Sequence, residues 1–237
     1  MKAGRRSWLA FLFAYVVAVL VVDTLATRQI EWIIDWRMFE WRDSHVLRWD
    51  TGAAHAPGAD WFKLIAWLVI PLVLCIRGFD RQWFTFTRWK RIDVYLTIAA
   101  LVAGGLVIAA IPFIPGVRDM YRGAGAIPGD VRVDYALHYL TWIATWFFGW
   151  ELMHRYMLLR QFEGLPPAVA WGLGVGLIPI IEAAYHLAQG KELLECAGVW
   201  VFGVLACAWA LSRRNALLPI IAHGFIEVAL LVFLMVM

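Results

Sequence analysis

Residues 216–237 read Ala-Leu-Leu-Pro-Ile-Ile-Ala-His-Gly-Phe-Ile-Glu-Val-Ala-Leu-Leu-Val-Phe-Leu-Met-Val-Met. A helix needs about 20 mostly apolar residues to cross a hydrocarbon core. This run has that length, and only His223 and Glu227 interrupt it. A helix apolar on every side has no face to offer water, so it belongs in a large core or a bilayer. The rest of the chain decides between these. Of its 237 residues, 62% are hydrophobic and only 16% charged, and the mean hydropathy is +0.69. Ordinary soluble domains carry roughly 45–50% apolar and about 25% charged residues. So much apolar surface cannot be covered in water by so small a fold, which excludes a soluble enzyme, a disordered chain and a disulfide scaffold.

Working back from the C-terminus, six more apolar runs appear, giving approximate spans 8–26, 62–76, 93–116, 134–160, 167–188, 194–211 and 216–237. The expected fold is an all-α bundle of about seven transmembrane helices in one domain, 1–237. The first run follows Lys2, Arg5 and Arg6 but lacks a small-residue cleavage site, so it is read as a retained span rather than a signal peptide. Residues 27–61 mix Trp32, Trp36, Trp41 and Trp49 with Glu31, Asp35, Glu40 and Asp43. That pattern predicts a helix lying in the interface, with an eighth imperfect span as the alternative. The 15 Trp and 7 Tyr suit the two membrane interfaces.

Short cytoplasmic loops collect Lys and Arg. With the N-terminus inside, that side receives Lys2, Arg5, Arg6, Arg77, Arg81, Arg88, Lys90, Arg91, Arg160, Arg213 and Arg214, against Arg118, Arg122, Arg132 and Lys191 in the other short loops. The N-terminus is therefore expected to be cytoplasmic. A net charge of +3 gives no ground for a nucleic-acid partner. Cys75, Cys196 and Cys207 each sit in an apolar run, and their spacing matches neither a disulfide framework nor a zinc ribbon.

A charged side chain at the centre of a membrane helix costs about 2.5–3.5 kcal/mol even on the lenient insertion scale, so each one calls for a reason. The last four spans concentrate them, whereas the first three carry almost nothing ionisable. Glu151 with Arg155, Glu182 with His186, and His223 with Glu227 are each four residues apart, which puts both members on one helix face. Any one pair alone is readily a self-neutralising glue between helices. Three pairs in successive spans point instead to a shared polar pocket.

The segment Trp150-Glu151-Leu152-Met153-His154-Arg155, then His186, then His223-Gly224-Phe225-Ile226-Glu227, resembles the CPBP family of intramembrane proteases. That family includes the CAAX prenyl endopeptidases and bacteriocin-processing or self-immunity proteins. Its pattern is Glu-Glu-x-x-x-Arg, Phe-x-x-x-His and His-x-x-x-Asn on separate helices. The resemblance covers about residues 134–237. Three positions depart from it: Trp150 stands at the leading Glu, Tyr156 follows the arginine where many relatives have Gly, and Glu182 takes the aromatic place. The resemblance implies an intramembrane endopeptidase in which the leading Glu and the second-motif His activate water.

Peptide hydrolysis requires a held water, a base and a donor for the oxyanion. Glu151 is the expected general base, with Arg155 one turn away holding its charge. His186 positions the water, and Glu182 fixes its tautomer or substitutes for the base missing at Trp150. His223 donates to the oxyanion, as the resemblance implies. Glu227 is either protonated or orients His223 from behind. Glu195 either reaches back into the pocket or belongs to the loop that caps the sixth span. His154, His45, His55 and His138 are read as interfacial or structural. No cofactor is expected, although zinc held by the histidines and carboxylates is the rival chemistry. The expected partners are the lipid bilayer and a membrane-associated protein or peptide substrate. Two other classes compete: a non-catalytic scaffold or immunity protein, favoured by Trp150, and a proton-coupled transporter, since buried Glu and His also make proton relays.

One arithmetic check concerns depth. At 1.5 Å per residue from the cytoplasmic loops, Glu151 lies about 20 Å deep, His186 about 30 Å and His223 about 15 Å. Straight helices would not bring all three level.

Overall fold

The computed structural model describes residues 3–27, 60–114 and 132–236. Apart from its two ends, the expected interfacial segment 27–61 lies outside them, as do His45, His55, Arg118 and Arg122. Helix accounts for nearly all of the described residues, and there is no strand among them. Helices α1 (Ala3–Thr27), α2 (Trp61–Gly78) and α3 (Arg91–Ala110) are followed by α4, which runs from Arg132–Glu151 through Leu152–Leu158 to Leu159–Phe162. Helices α5 (Pro167–Ala188), α6 (Leu193–Arg213) and α7 (Leu217–Val236) complete the chain.

Five of these, α1, α2, α3, α5 and α6, are long and apolar enough to cross a membrane, and α7 carries a shorter apolar stretch, Leu217–Phe233. The bundle is apolar on its outside as well as its inside. Ile76 is 70% exposed, Leu106 and Val107 66%, and Leu205 65%. A water-soluble fold would not leave such an apolar surface uncovered.

Side-chain contacts fix the direction of the helices. At one end Arg5 of α1 donates to the carbonyls of Gln161 and Glu163, and Arg160 of α4 donates to the carbonyl of Gly78 at the close of α2. Arg213 at the close of α6 pairs with Asp93 at the start of α3, 3.1 Å apart. At the other end Lys63 opens α2 beside Asp23 of α1, and Gln189 after α5 donates to Thr24. Consecutive helices therefore alternate in direction. The fully buried Asn215 ties the α6–α7 turn to the α2–α3 connection: its Nδ2 donates to the Thr85 carbonyl at 2.6 Å, and its Oδ1 accepts from Leu217 N at 2.8 Å.

Three helices widen into π-helical turns, at Leu64–Val69, Leu152–Leu158 and Ala170–Leu177. Two of these precede a proline, Pro71 in α2 and Pro179 in α5. A proline ring presses on the carbonyl four residues back, here Trp67 and Val175, and removes one donor, so a widened turn relieves both. The α4 turn has no proline to explain it. All seven of its residues are buried, and it forms the axis of the bundle against α1, α2 and α6. The span expected over 134–160 is thus one helix that changes type halfway along.

Close approach of α4 to α2 depends on Gly149. A Cβ there would lie 2.7 Å from the Trp67 backbone. Gly149→Ala is expected to destabilise the protein by about 1–3 kcal/mol, the usual cost of overpacking a rigid contact. Thermal unfolding in detergent checks this, and Gly172→Ala, where a Cβ meets nothing within 4 Å, should leave the transition unmoved.

Candidate functional site

Arg155 stands on the widened turn of α4 and is 1% exposed. Its two terminal nitrogens donate to the two carboxylate oxygens of Glu182 on α5, the Nη2–Oε2 bond being 2.9 Å. Nη1 also approaches Cys207 Sγ of α6 at 3.4 Å. This forked, charge-assisted pairing is the strongest geometry open to a guanidinium. Gly203 makes room for it, since a Cβ there would lie 2.6 Å from Glu182 Oε2 and 2.9 Å from Pro179 Cβ. The Nε of Arg155 lies 3.8 Å from Glu151 Oε2, and neither atom has a hydrogen-bond partner among the described residues.

The other oxygen of Glu151 faces α7. His223 Nδ1 donates to Glu151 Oε1 at 2.7 Å, while His223 Nε2 faces Glu227 Oε1 at 3.5 Å. The imidazole is boxed by the rings of Phe147, Trp146 and Phe202, with centroids 5.1, 5.9 and 5.7 Å away. Glu151 is 1% exposed, whereas the His223 and Glu227 side chains are 16% and 15% exposed. The network therefore has a dry end at Glu182 and an open end at Glu227. Glu151, Arg155, Glu182, His223 and Glu227 are thus joined by contacts across α4, α5 and α7.

Other expected residues are placed differently. His186 Nδ1 donates to the carbonyl of Glu182, 2.9 Å away in its own helix, and no hydrogen bond or ion pair among the described residues joins it to Glu151 or His223. The carboxylate of Glu182 turns to Arg155 rather than to His186. The ring of His186 instead packs edge-on against Trp150, centroids 5.6 Å apart. An indole thus stands beside His186. Glu195, in the first turn of α6, pairs with Lys191 at 3.1 Å.

His154, expected to be interfacial or structural, is fully buried; its Nδ1 donates to the Trp150 carbonyl at 2.9 Å, and it lies 3.7 Å from Glu182 Oε1. Its burial is shared by every residue of Leu152–Leu158, the turn at the axis of the bundle.

A second buried polar cluster forms where α1 meets the start of α2, from residues at the margins of the expected spans. Asp23, Asp60 and Lys63 are 2%, 0% and 5% exposed. Lys63 Nζ lies 3.8 Å from Asp23 and 3.5 Å from Asp60, and Tyr185 donates to Asp23 at 2.5 Å. Tyr185 also packs on Trp150, centroids 5.5 Å apart, so an aromatic layer separates the two clusters. Each of these residues sits at or beyond the edge of an apolar run, where a charge is unremarkable in sequence.

Glu151 and Glu227 address opposite nitrogens of the His223 imidazole, so these three groups do not converge on one point. Among the described residues no three His, Cys, Asp or Glu side chains form a metal-holding group. No family model matches the chain, and no curated protein or solved structure matches it either.

Breaking the central pair should be costly. Glu182→Ala leaves the Arg155 guanidinium buried against Glu151 alone and is expected to lose about 3–5 kcal/mol. Glu195→Gln, at the rim, should lose less than about 1 kcal/mol. Unfolding titrations in mixed micelles compare the two.

Proposed function

We propose that the chain is a multi-pass integral membrane protein whose seven helices cross the bilayer with the N-terminus cytoplasmic. We further propose that it is an intramembrane endopeptidase acting on a membrane-associated protein or peptide. The alternating helix directions and the basic residues gathered at the Arg5 end support the topology. The observation that carries the activity is the 2.7 Å contact between the dry Glu151 and the half-open His223.

A carboxylate that accepts from Nδ1–H fixes the tautomer of an imidazole and leaves Nε2 to act on water. In this reading Glu151 is the positioning residue rather than the base, and His223 is the base rather than the oxyanion donor. Nε2 takes a proton from a water bound beside it at the open end of the network. The water oxygen bonds to the peptide carbonyl carbon, and the same proton passes to the leaving amide nitrogen as the C–N bond breaks. The aromatic box lowers the local dielectric and strengthens these interactions.

A second reading has one specific observation in its favour. Trp150 fills the space beside His186, which is what a non-catalytic scaffold or immunity protein that had given up the family's water site would show. Protein termini compared by mass spectrometry, in membranes of the native host expressing wild type, Glu151→Gln, His223→Ala and His186→Ala at matched levels, separate the two. The protease reading expects specific new termini with wild type, none with His223→Ala, a loss of about 10²–10⁴ in rate for Glu151→Gln, and retention with His186→Ala. Four identical profiles would establish the scaffold reading.

A further inference from the structure

A cleft of about 760 Å³ opens at the Arg5 end of the bundle, between the start of α1 and the ends of α2 and α4. It lies apart from the Glu151–His223 network. Arg5, Arg77 and Arg160 reach it from three different helices, and Trp8, Leu12 and Leu74 give it an apolar wall. Three guanidiniums in one cleft repel one another unless anions offset them, and the partners they have here are neutral. Arg5 donates to the carbonyls of Gln161 and Glu163, at 2.6 and 2.7 Å. Arg160 donates to the Gly78 carbonyl and to Tyr156 Oη, the latter at 2.9 Å. Arg77 is exposed and has no hydrogen bond or ion pair among the described residues. Among the described residues that line the cleft the single carboxylate is Glu163, and it lies 3.5 Å from Arg214, a fourth guanidinium that already offsets its charge.

We infer that this cleft is a binding site for the phosphate headgroup of an anionic lipid. Guanidiniums present forked donors that match phosphate oxygens. Basic pockets between membrane helices at the cytoplasmic face take anionic headgroups. The volume suits a headgroup better than a bare ion, and the wall of Trp8, Leu12 and Leu74 gives the adjoining acyl chains an apolar path. Arg5 and Arg160 are held in place by their carbonyl partners, while Arg77 is free to close on the ligand. The site rests on the membrane placement proposed above and not on proteolysis.

Native mass spectrometry of the protein released from phosphatidylcholine nanodiscs doped with phosphatidylglycerol tests it. Wild type is expected to retain phosphatidylglycerol above its share of the bilayer, and Arg77→Gln to lose about fivefold of that enrichment. Arg91→Gln removes an equal charge from an exposed residue on the same face that does not line the cleft, and should keep it. Millimolar inorganic phosphate should leave the retained lipid in place. No enrichment in wild type, or equal loss with both variants, would overturn the site. Displacement by inorganic phosphate would overturn the lipid as its ligand. Failure of the protein to enter nanodiscs would overturn the membrane placement and the site with it.

Discussion

An arginine buried in the middle of an apolar bundle has to be neutralised where it stands, and much of this fold follows from how Arg155 is met. Its forked contact with Glu182 fixes the depth of α5 against α4. The lack of a side chain at Gly203 lets α6 close over the pair. One guanidinium facing two carboxylates leaves Glu151 only partly compensated, and that residue finds His223 on α7. A single desolvated charge thus organises four helices that apolar packing alone would not register. Inside a bilayer, lipid is as apolar as leucine, so polar contacts and close backbone approach supply the specificity.

The helical bundle was legible in the sequence because length and hydropathy decide it. Run 216–237 needs no partner to be read as a helix suited to a bilayer. The i, i+4 pairs were also legible as three polar stripes, and the structure joins them through Arg155 with Glu182 and Glu151 with His223. What periodicity could not give was which pair meets which. Glu182 was expected to serve His186, one turn away in its own helix. It serves Arg155 on another, because a guanidinium offers two aligned donors and outcompetes an imidazole already bonded to a carbonyl. The burial of His154 was not legible, for a different reason. All of Leu152–Leu158 is buried because other helices surround that turn on every side, which is a property of the packed bundle and not of the local sequence.

The depth arithmetic was more informative than the motif spacing. It set His186 about 10–15 Å deeper than Glu151 and His223, and the structure leaves it without direct contact to either. The indole of Trp150 packs on His186 instead, and the carboxylate and imidazole that meet are those of α4 and α7. Trp150 also packs on Tyr185, whose hydroxyl donates to Asp23 of the second buried polar cluster.

Glu151 and His223 meet directly inside the bundle, and the site depends on that contact. A double-mutant cycle on unfolding free energy, with Glu151→Ala, His223→Ala and both together, measures this without assuming any activity. A buried charge-assisted contact predicts a coupling of about 1–3 kcal/mol. Additivity to within about 0.3–0.5 kcal/mol would mean that the two side chains do not touch, and it would contradict the account of the site.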